Sequence, residues 1–175
     1  MDILEEKRQE YRDYIEEHTN NVMKAYNAIR EIFKDEDFIK DDSLNSKLLA
    51  NCLLHDGSKY SEEEFEPYRA YFHSVDDAEK NDPVTKANFE EAWKHHYTYN
   101  LHHWHHWKIN SLEPNCDENY AEMPSIFLAE MIIDWTAMGY KFGNNAAEYY
   151  DRNKHKIFLN PATRERLERL LSKIR

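Results

Sequence analysis

Over residues 3 to 34, Leu4, Tyr11, Ile15, His18, Val22, Ala25, Ile29 and Phe33 recur at steps of three, four or seven. Side chains at those intervals share one face of an α-helix, so the stripe commits the N-terminal segment to one long helix with one side in a core. Little in the rest of the chain would break that pattern. Only three glycines and five prolines occur in 175 residues, and the good helix formers Leu, Ala, Glu, Lys and Arg are abundant. The expected fold class is all-α, a compact multi-helix bundle. One polar residue interrupts the stripe: His18 lies on its apolar side, away from the Glu/Lys/Arg face.

The later segments read in the same way. Asp35 to Asp42 is an acidic turn region, and Ser43 is expected to cap a second helix with the stripe Leu44, Leu48, Cys52, His55. Gly57-Ser58 interrupts the chain. Ser61 and Glu64 have the spacing of a capping box for a third helix carrying Phe65, Tyr68, Ala70, Tyr71 and Phe72. A polar stretch, His73 to Asp82, leads to Pro83, which suits the first turn of a helix whose Phe89, Ala92, Trp93 and His96 share a face. Asn100 to Glu122 is the longest region without clear periodicity, and loops of that length inside a compact domain are often functional or flexible. A helix after Pro124 puts Phe127, Met131, Asp134 and Met138 on one side, with Trp135 and Tyr140 read as core. Two shorter helical segments, near 145–155 and 161–174, complete the chain. The last is amphipathic, with Arg164, Arg166, Arg169, Lys173 and Arg175 opposite Leu167, Leu170, Leu171 and Ile174. No repeat or linker divides the sequence, and residues 1–175 are expected to form a single domain.

A net charge of −11 disfavours nucleic acid and anionic membranes as partners. A small anionic substrate stays compatible with it, because a bound cation inverts the local field. No run approaches membrane-spanning length, and MDILEEKRQEY lacks the apolar stretch of a signal peptide. The two cysteines, Cys52 and Cys116, are far apart, as in a reduced intracellular chain, so a cytoplasmic location is expected. The aromatic content is compatible with a homodimer, although core packing uses the same residue types.

The apolar run Leu48-Leu49-Ala50-Asn51-Cys52-Leu53-Leu54 ends in the doublet His55-Asp56. His18, His55, Asp56 and Asp134 all sit on, or at the end of, apolar helical faces, where an unpaired charge is costly. Any one of them alone reads most simply as a hydrogen-bonded core histidine or a capping carboxylate. Together they make a core polar for a reason, and mixed imidazole and carboxylate donors suit one or two divalent ions such as iron, manganese, cobalt or nickel.

The order His18 … His55-Asp56 … Asp134 resembles the HD-domain superfamily of metal-dependent phosphohydrolases, and His55-Asp56-Gly57-Ser58-Lys59 resembles its frequent HD-x-x-K form. That resemblance implies an HD-domain-like helical bundle in which His18, His55, Asp56 and Asp134 hold one divalent metal and Lys59 approaches a substrate anion. Binuclear members add two histidines between the doublet and the last Asp, the interval that here holds His95, His96, His102, His103, His105 and His106. Helical phase favours His96 over His95, since His96 follows Phe89, Ala92 and Trp93. His102 or His103 would supply the other ligand from the loop, whereas His105 and His106 are expected to stay outside the site. The string His96-x3-Asn100-x-His102-His103-Trp104 also resembles a bacterial and phage family of HD-like proteins.

The function so implied is hydrolysis of a small phosphorylated substrate, which a nucleotide would satisfy. Asp56 would bridge two metals, Lys59 would stabilise phosphate charge, and His103 or His102, if not a ligand, would protonate the leaving oxygen. Two rivals use the same residues: a di-iron oxygenase of the inositol-oxygenase type, and a non-catalytic metal-binding helical protein. Glu130, one turn before Asp134, orients a ligand histidine or a metal-bound water, or else plays a surface or outer supporting role.

Overall fold

The N-terminal stripe forms helix α1 (Ile3–Ile32), opened by the Asp2 carboxylate, which accepts from the Leu4 N–H. In the computed structural model, which describes residues 2–175, seven further α-helices of four to eighteen residues and a closing α9 follow it, joined by short 3₁₀ turns. They are α2 (Asp37–Lys40), α3 (Asp42–Leu53), α4 (Phe65–Phe72), α5 (Asp77–Asn81), α6 (Pro83–Tyr99), α7 (Ser125–Phe142), α8 (Ala146–Asn153) and α9 (Pro161–Leu171). The fold is all-α, with no β-strand among the described residues beyond an isolated bridge between Lys108 and Tyr120.

Helix α7 is the centre of the bundle. Leu128, Ala129, Met131, Ile132, Ile133, Trp135 and Ala137 are buried around its circumference because α1, α3 and α8 pack on different sides of it. It stops at Gly143, whose left-handed conformation (φ 70°) lets its N–H, and that of Asn144, bond back to the Gly139 carbonyl. Gly139 admits no side chain, since a Cβ there would overlap the Asn144 carbonyl.

The apolar residues divide into two clusters. The larger joins Val22, Ala25, Tyr26 and Ile29 of α1 to Leu48, Cys52 and the apolar faces of α7, α8 and α9. The smaller joins Tyr11 and Ile15 of α1 to Tyr68 of α4 and Ala92 of α6. The α1 stripe feeds both, and His18 stands between Ile15 and Val22 where one cluster gives way to the other.

Local details correct the sequence reading at four points. Asp41, not Ser43, caps α3, its carboxylate accepting from Leu44 N–H at 2.9 Å. Ser61 and Glu64 form no capping box: α4 starts at Phe65 and the Glu64 side chain is fully buried, turned to two histidines. Two histidine N–H donors in an apolar interior hold a carboxylate better than a solvent-exposed helix end does. Tyr140, expected in the core, is 39 % exposed, with Lys24 over its ring. The aperiodic stretch after Asn100 is ordered by partners far away in sequence: Arg164 of α9 binds both oxygens of Asp117 at 2.6 Å.

Candidate metal centre

Five segments converge on one point. His18 comes from α1, His55 and Asp56 from the end of α3, His96 from α6, His102 and His103 from the turn after it, and Asp134 from α7. The doublet works because the chain turns sharply at Asp56, which adopts a left-handed conformation (φ 56°, ψ 21°) and is the only described non-glycine residue with positive φ. Successive residues of a continuing helix would point about 100° apart. Here both side chains reach the same centre, with His55 Nε2 3.6 Å from Asp56 Oδ1. The α3 C-terminus also contributes a partial negative charge that favours a cation.

Two sets of donor atoms share Asp56. One comprises His18, His55 and Asp56, and the other Asp56, His96, His102 and His103; within each set the donor atoms lie within 4.8 Å of one another. Asp134 closes on the first set, its Oδ1 being 3.2 Å from His18 Nε2 and 3.6 Å from His55 Nε2, and it also groups with His55 and His102. Asp56 Oδ1 lies 3.3 Å from His96 Nε2 and 3.6 Å from His102 Nε2, yet it is buried without a hydrogen bond. His55 Nε2, His102 Nε2 and His103 Nε2 are likewise buried with no hydrogen-bond partner among the described residues. Unpaired buried polar atoms are costly, and several of them facing one centre is the pattern of ligands around a cation. The donor set fits a divalent metal on that ground.

The far sides of the imidazoles are held by carboxylates. Glu130 lies 3.2 Å from His55 Nδ1 and 3.3 Å from His102 Nδ1, and Asn51 donates to its other oxygen. Glu64 takes His96 Nδ1 and His95 Nδ1, each at 2.7 Å. A carboxylate on Nδ1 fixes the ring and leaves Nε2 free to face a metal. Electrostatics point the same way. Burial pushes the Asp56 carboxyl up, but His55, Lys59 and His96 around it hold it well below its ordinary value. Burial likewise opposes charge on His55, and Asp56, Asp134 and Glu130 overcome it, raising its pKa to about 10. Burial lowers His103 well below the usual histidine range, and the neighbouring His102 and His96 lower it further, so its imidazole is neutral. Asp56 and Asp134 stand at the centre with Glu130 and Glu64 behind the imidazoles, and Lys59, paired with Asp56, is the one ammonium beside these four carboxylates, an arrangement that accommodates added positive charge.

The centre opens into a cavity of about 300 Å³. Asp56, Asp134 and Lys59 contribute to its lining, and aromatic rings including Tyr14, Trp93 and Trp135 form walls. Trp135 therefore serves the cavity as well as the core. Lys59 Nζ pairs with Asp56 Oδ2 at 2.7 Å.

The structure brings His18, His55, Asp56, Lys59, His96, His102, His103 and Asp134 together. Both His102 and His103 stand in the donor set around Asp56, and His95 turns to Glu64. His105 reaches the cavity wall but belongs to neither donor set, its ring stacked on Trp104 at 3.6 Å. His106 turns away to the Thr98 carbonyl. Sequence reasoning missed the role of Glu64 at the centre: its spacing from Ser61 suggested a helix cap, and nothing in the run of glutamates between residues 62 and 66 pointed to a histidine partner. Glu130 takes the orienting side of the alternative left open for it.

No curated protein and no solved structure matches the chain. A family model matches residues 7–173, nearly the whole of it and every residue of the centre, and the chain therefore belongs to DUF5662, a family of unknown function.

Proposed function

We propose that the protein is a metal-dependent phosphohydrolase acting on a small phosphorylated molecule. The observation that carries this reading is Lys59, a partly buried ammonium 2.7 Å from the carboxylate shared by two histidine-rich donor sets, at the wall of a cavity sized for a small ligand. The HD-like order His18 … His55-Asp56 … Asp134 supports it, as does the resemblance of His55-Asp56-Gly57-Ser58-Lys59 to the HD-x-x-K form.

Divalent cations held there would supply Lewis acidity and acidify bound water. His18, His55, Asp56 and Asp134 would hold one ion and Asp56, His96, His102 and His103 the other. Glu130 and Glu64 orient the imidazoles and keep their Nε2 atoms toward the centre. Lys59 offers positive charge to an incoming anion and exchanges its pairing with Asp56 for one with the phosphoryl group. The aromatic walls exclude water from around that anion and give an attached planar group, such as a nucleobase, a surface to stack on. His103, neutral and grouped with the ligands, is assigned to binding and not to proton donation. The Lys59 ammonium favours an anionic substrate and so hydrolysis over the oxygenase alternative.

Elemental analysis of protein purified without a histidine tag tests the premise. Wild type should carry up to two divalent ions per chain, while His55→Ala and Asp134→Ala should carry fewer. Equal and negligible metal in all three after reconstitution rejects the reading. A panel of phosphomonoesters and nucleotides with Mn²⁺, Co²⁺ or Ni²⁺ then tests turnover. Metal without phosphoester cleavage, but with oxygen consumption by an iron-loaded form, would transfer the site to the oxygenase class.

A further inference from the structure

At the Lys59 end of the cavity stand three tyrosines that no ligand role accounts for. Lys59 Nζ lies 5.8 Å from the centre of the Tyr68 ring and 6.0 Å from that of Tyr14, and Tyr11 packs against both at 6.4 and 6.3 Å. Tyr68 lines the cavity and is only 6 % exposed, yet its hydroxyl has no hydrogen-bond partner among the described residues. The carboxylates that could accept from it are taken. Glu64 holds His95 and His96 with its two oxygens, and Asp56 Oδ2 holds Lys59. A buried hydroxyl left unpaired costs stability, a cost that phenylalanine at this position would not carry. Phe72 and Phe89 already pack against its ring.

We propose that the Tyr68 hydroxyl is an anion donor: with the Lys59 ammonium it forms the phosphoryl-binding end of the cavity and donates its hydrogen bond to a non-bridging oxygen of the bound phosphate. The proposal rests on the phosphohydrolase reading above and adds a residue that the metal ligands and Lys59 do not supply. A phenolic hydroxyl on a packed ring is a neutral donor whose oxygen has a set position, so it adds a directional contact at one point, whereas Lys59 attracts any anion by charge. Tyr68 joins the anion to the smaller apolar cluster, where its ring is held edge-on by Phe89 at 5.1 Å. That packing fixes the hydroxyl before the ligand arrives and keeps the cost of ordering it low.

The experiment is titration of the metal-loaded full-length protein with inorganic phosphate, for wild type, Tyr68→Phe and Tyr11→Phe, alongside thermal unfolding and metal analysis without phosphate. Tyr68→Phe should bind phosphate about tenfold more weakly, as for loss of one hydrogen bond to a charged group. It should keep the wild-type metal content and unfold about 2–4 °C higher, because an unpaired buried hydroxyl is gone. Tyr11→Phe also removes an unpartnered hydroxyl, but from a ring that does not line the cavity. It should raise the unfolding temperature alone. Unchanged phosphate affinity in Tyr68→Phe overturns the proposal and leaves the metal centre and hydrolysis standing. So does a lower unfolding temperature or lost metal in that variant, which would make Tyr68 a structural residue. A wild-type protein that holds metal and binds no phosphate overturns this proposal and the phosphohydrolase reading together.

Discussion

Asp56 meets two demands that conflict for an ordinary residue. It must follow His55 directly and still face the same centre, which forces a left-handed backbone that costs a side-chain-bearing residue about 1–2 kcal/mol. Strain of that size persists where the surroundings hold it, and here five imidazole and ammonium groups close on one carboxylate. Glu64 illustrates the opposite case, an unstrained residue whose importance lies wholly in its partners. Glu64→Gln keeps the shape but removes the charged acceptor from His96 Nδ1. It is expected to weaken metal binding at the set containing His96 by about 10–100-fold while the His18 set keeps its ion. Metal titration followed by elemental analysis would show this, and an unchanged second equivalent would remove Glu64 from the centre. At this scale His18 and Asp134 were legible because each interrupts an apolar helical stripe. The role of Glu64 was not, since its spacing from Ser61 suggested a helix cap and only its burial reveals the histidine partners.

At the scale of elements, amphipathic patterning located the long helices and missed what fastens them. The basic strip of α9 reads in sequence as one side of an amphipathic helix, yet its arginines work as separate clamps. Arg164 grips Asp117, Arg166 the Met123 carbonyl, and Arg169 the carboxylate of Glu36 at the start of α2. Lys173 adds a second contact to Glu36 at 2.7 Å. The hydrogen bonds from Arg169 lower the Glu36 pKa to about 2, against burial and with help from Lys173. A depressed carboxyl stabilises the fold above its unfolded pKa of 4.5 and loses that contribution as pH falls toward 2. Because both cations are largely solvated, the contribution is about 1 kcal/mol. Glu36→Gln should therefore be less stable than wild type by about that amount at pH 7, with the gap narrowing as pH falls from 4.5 toward 2. Urea unfolding across pH measures the gap; a gap that widens on acidification would refute the assignment.

At the scale of the whole molecule, the centre occupies the seam between two apolar clusters. Its carboxylates and imidazoles crowd a region that hydrophobic burial alone would fill more cheaply. Metal should thus stabilise the fold by mass action, by about 4 kcal/mol at a free concentration a thousand times its dissociation constant. Adding EDTA should lower the unfolding temperature of wild type and leave His55→Ala nearly unaffected; equal shifts in both would place the stabilising ion elsewhere. The sequence by itself determined the helical class, the main helices and the inward-facing His18, His55, Asp56, His96 and Asp134. Those follow from periodicity, a local property of the chain. Only the tertiary structure decided that His102 and His103 both enter the centre, that Glu64 and Glu130 orient its imidazoles and that Tyr68 stands unpaired beside Lys59. Each of these depends on which segments meet in space, and helical phase is silent on that because loops carry no period and a buried partner lies 31 to 79 residues away.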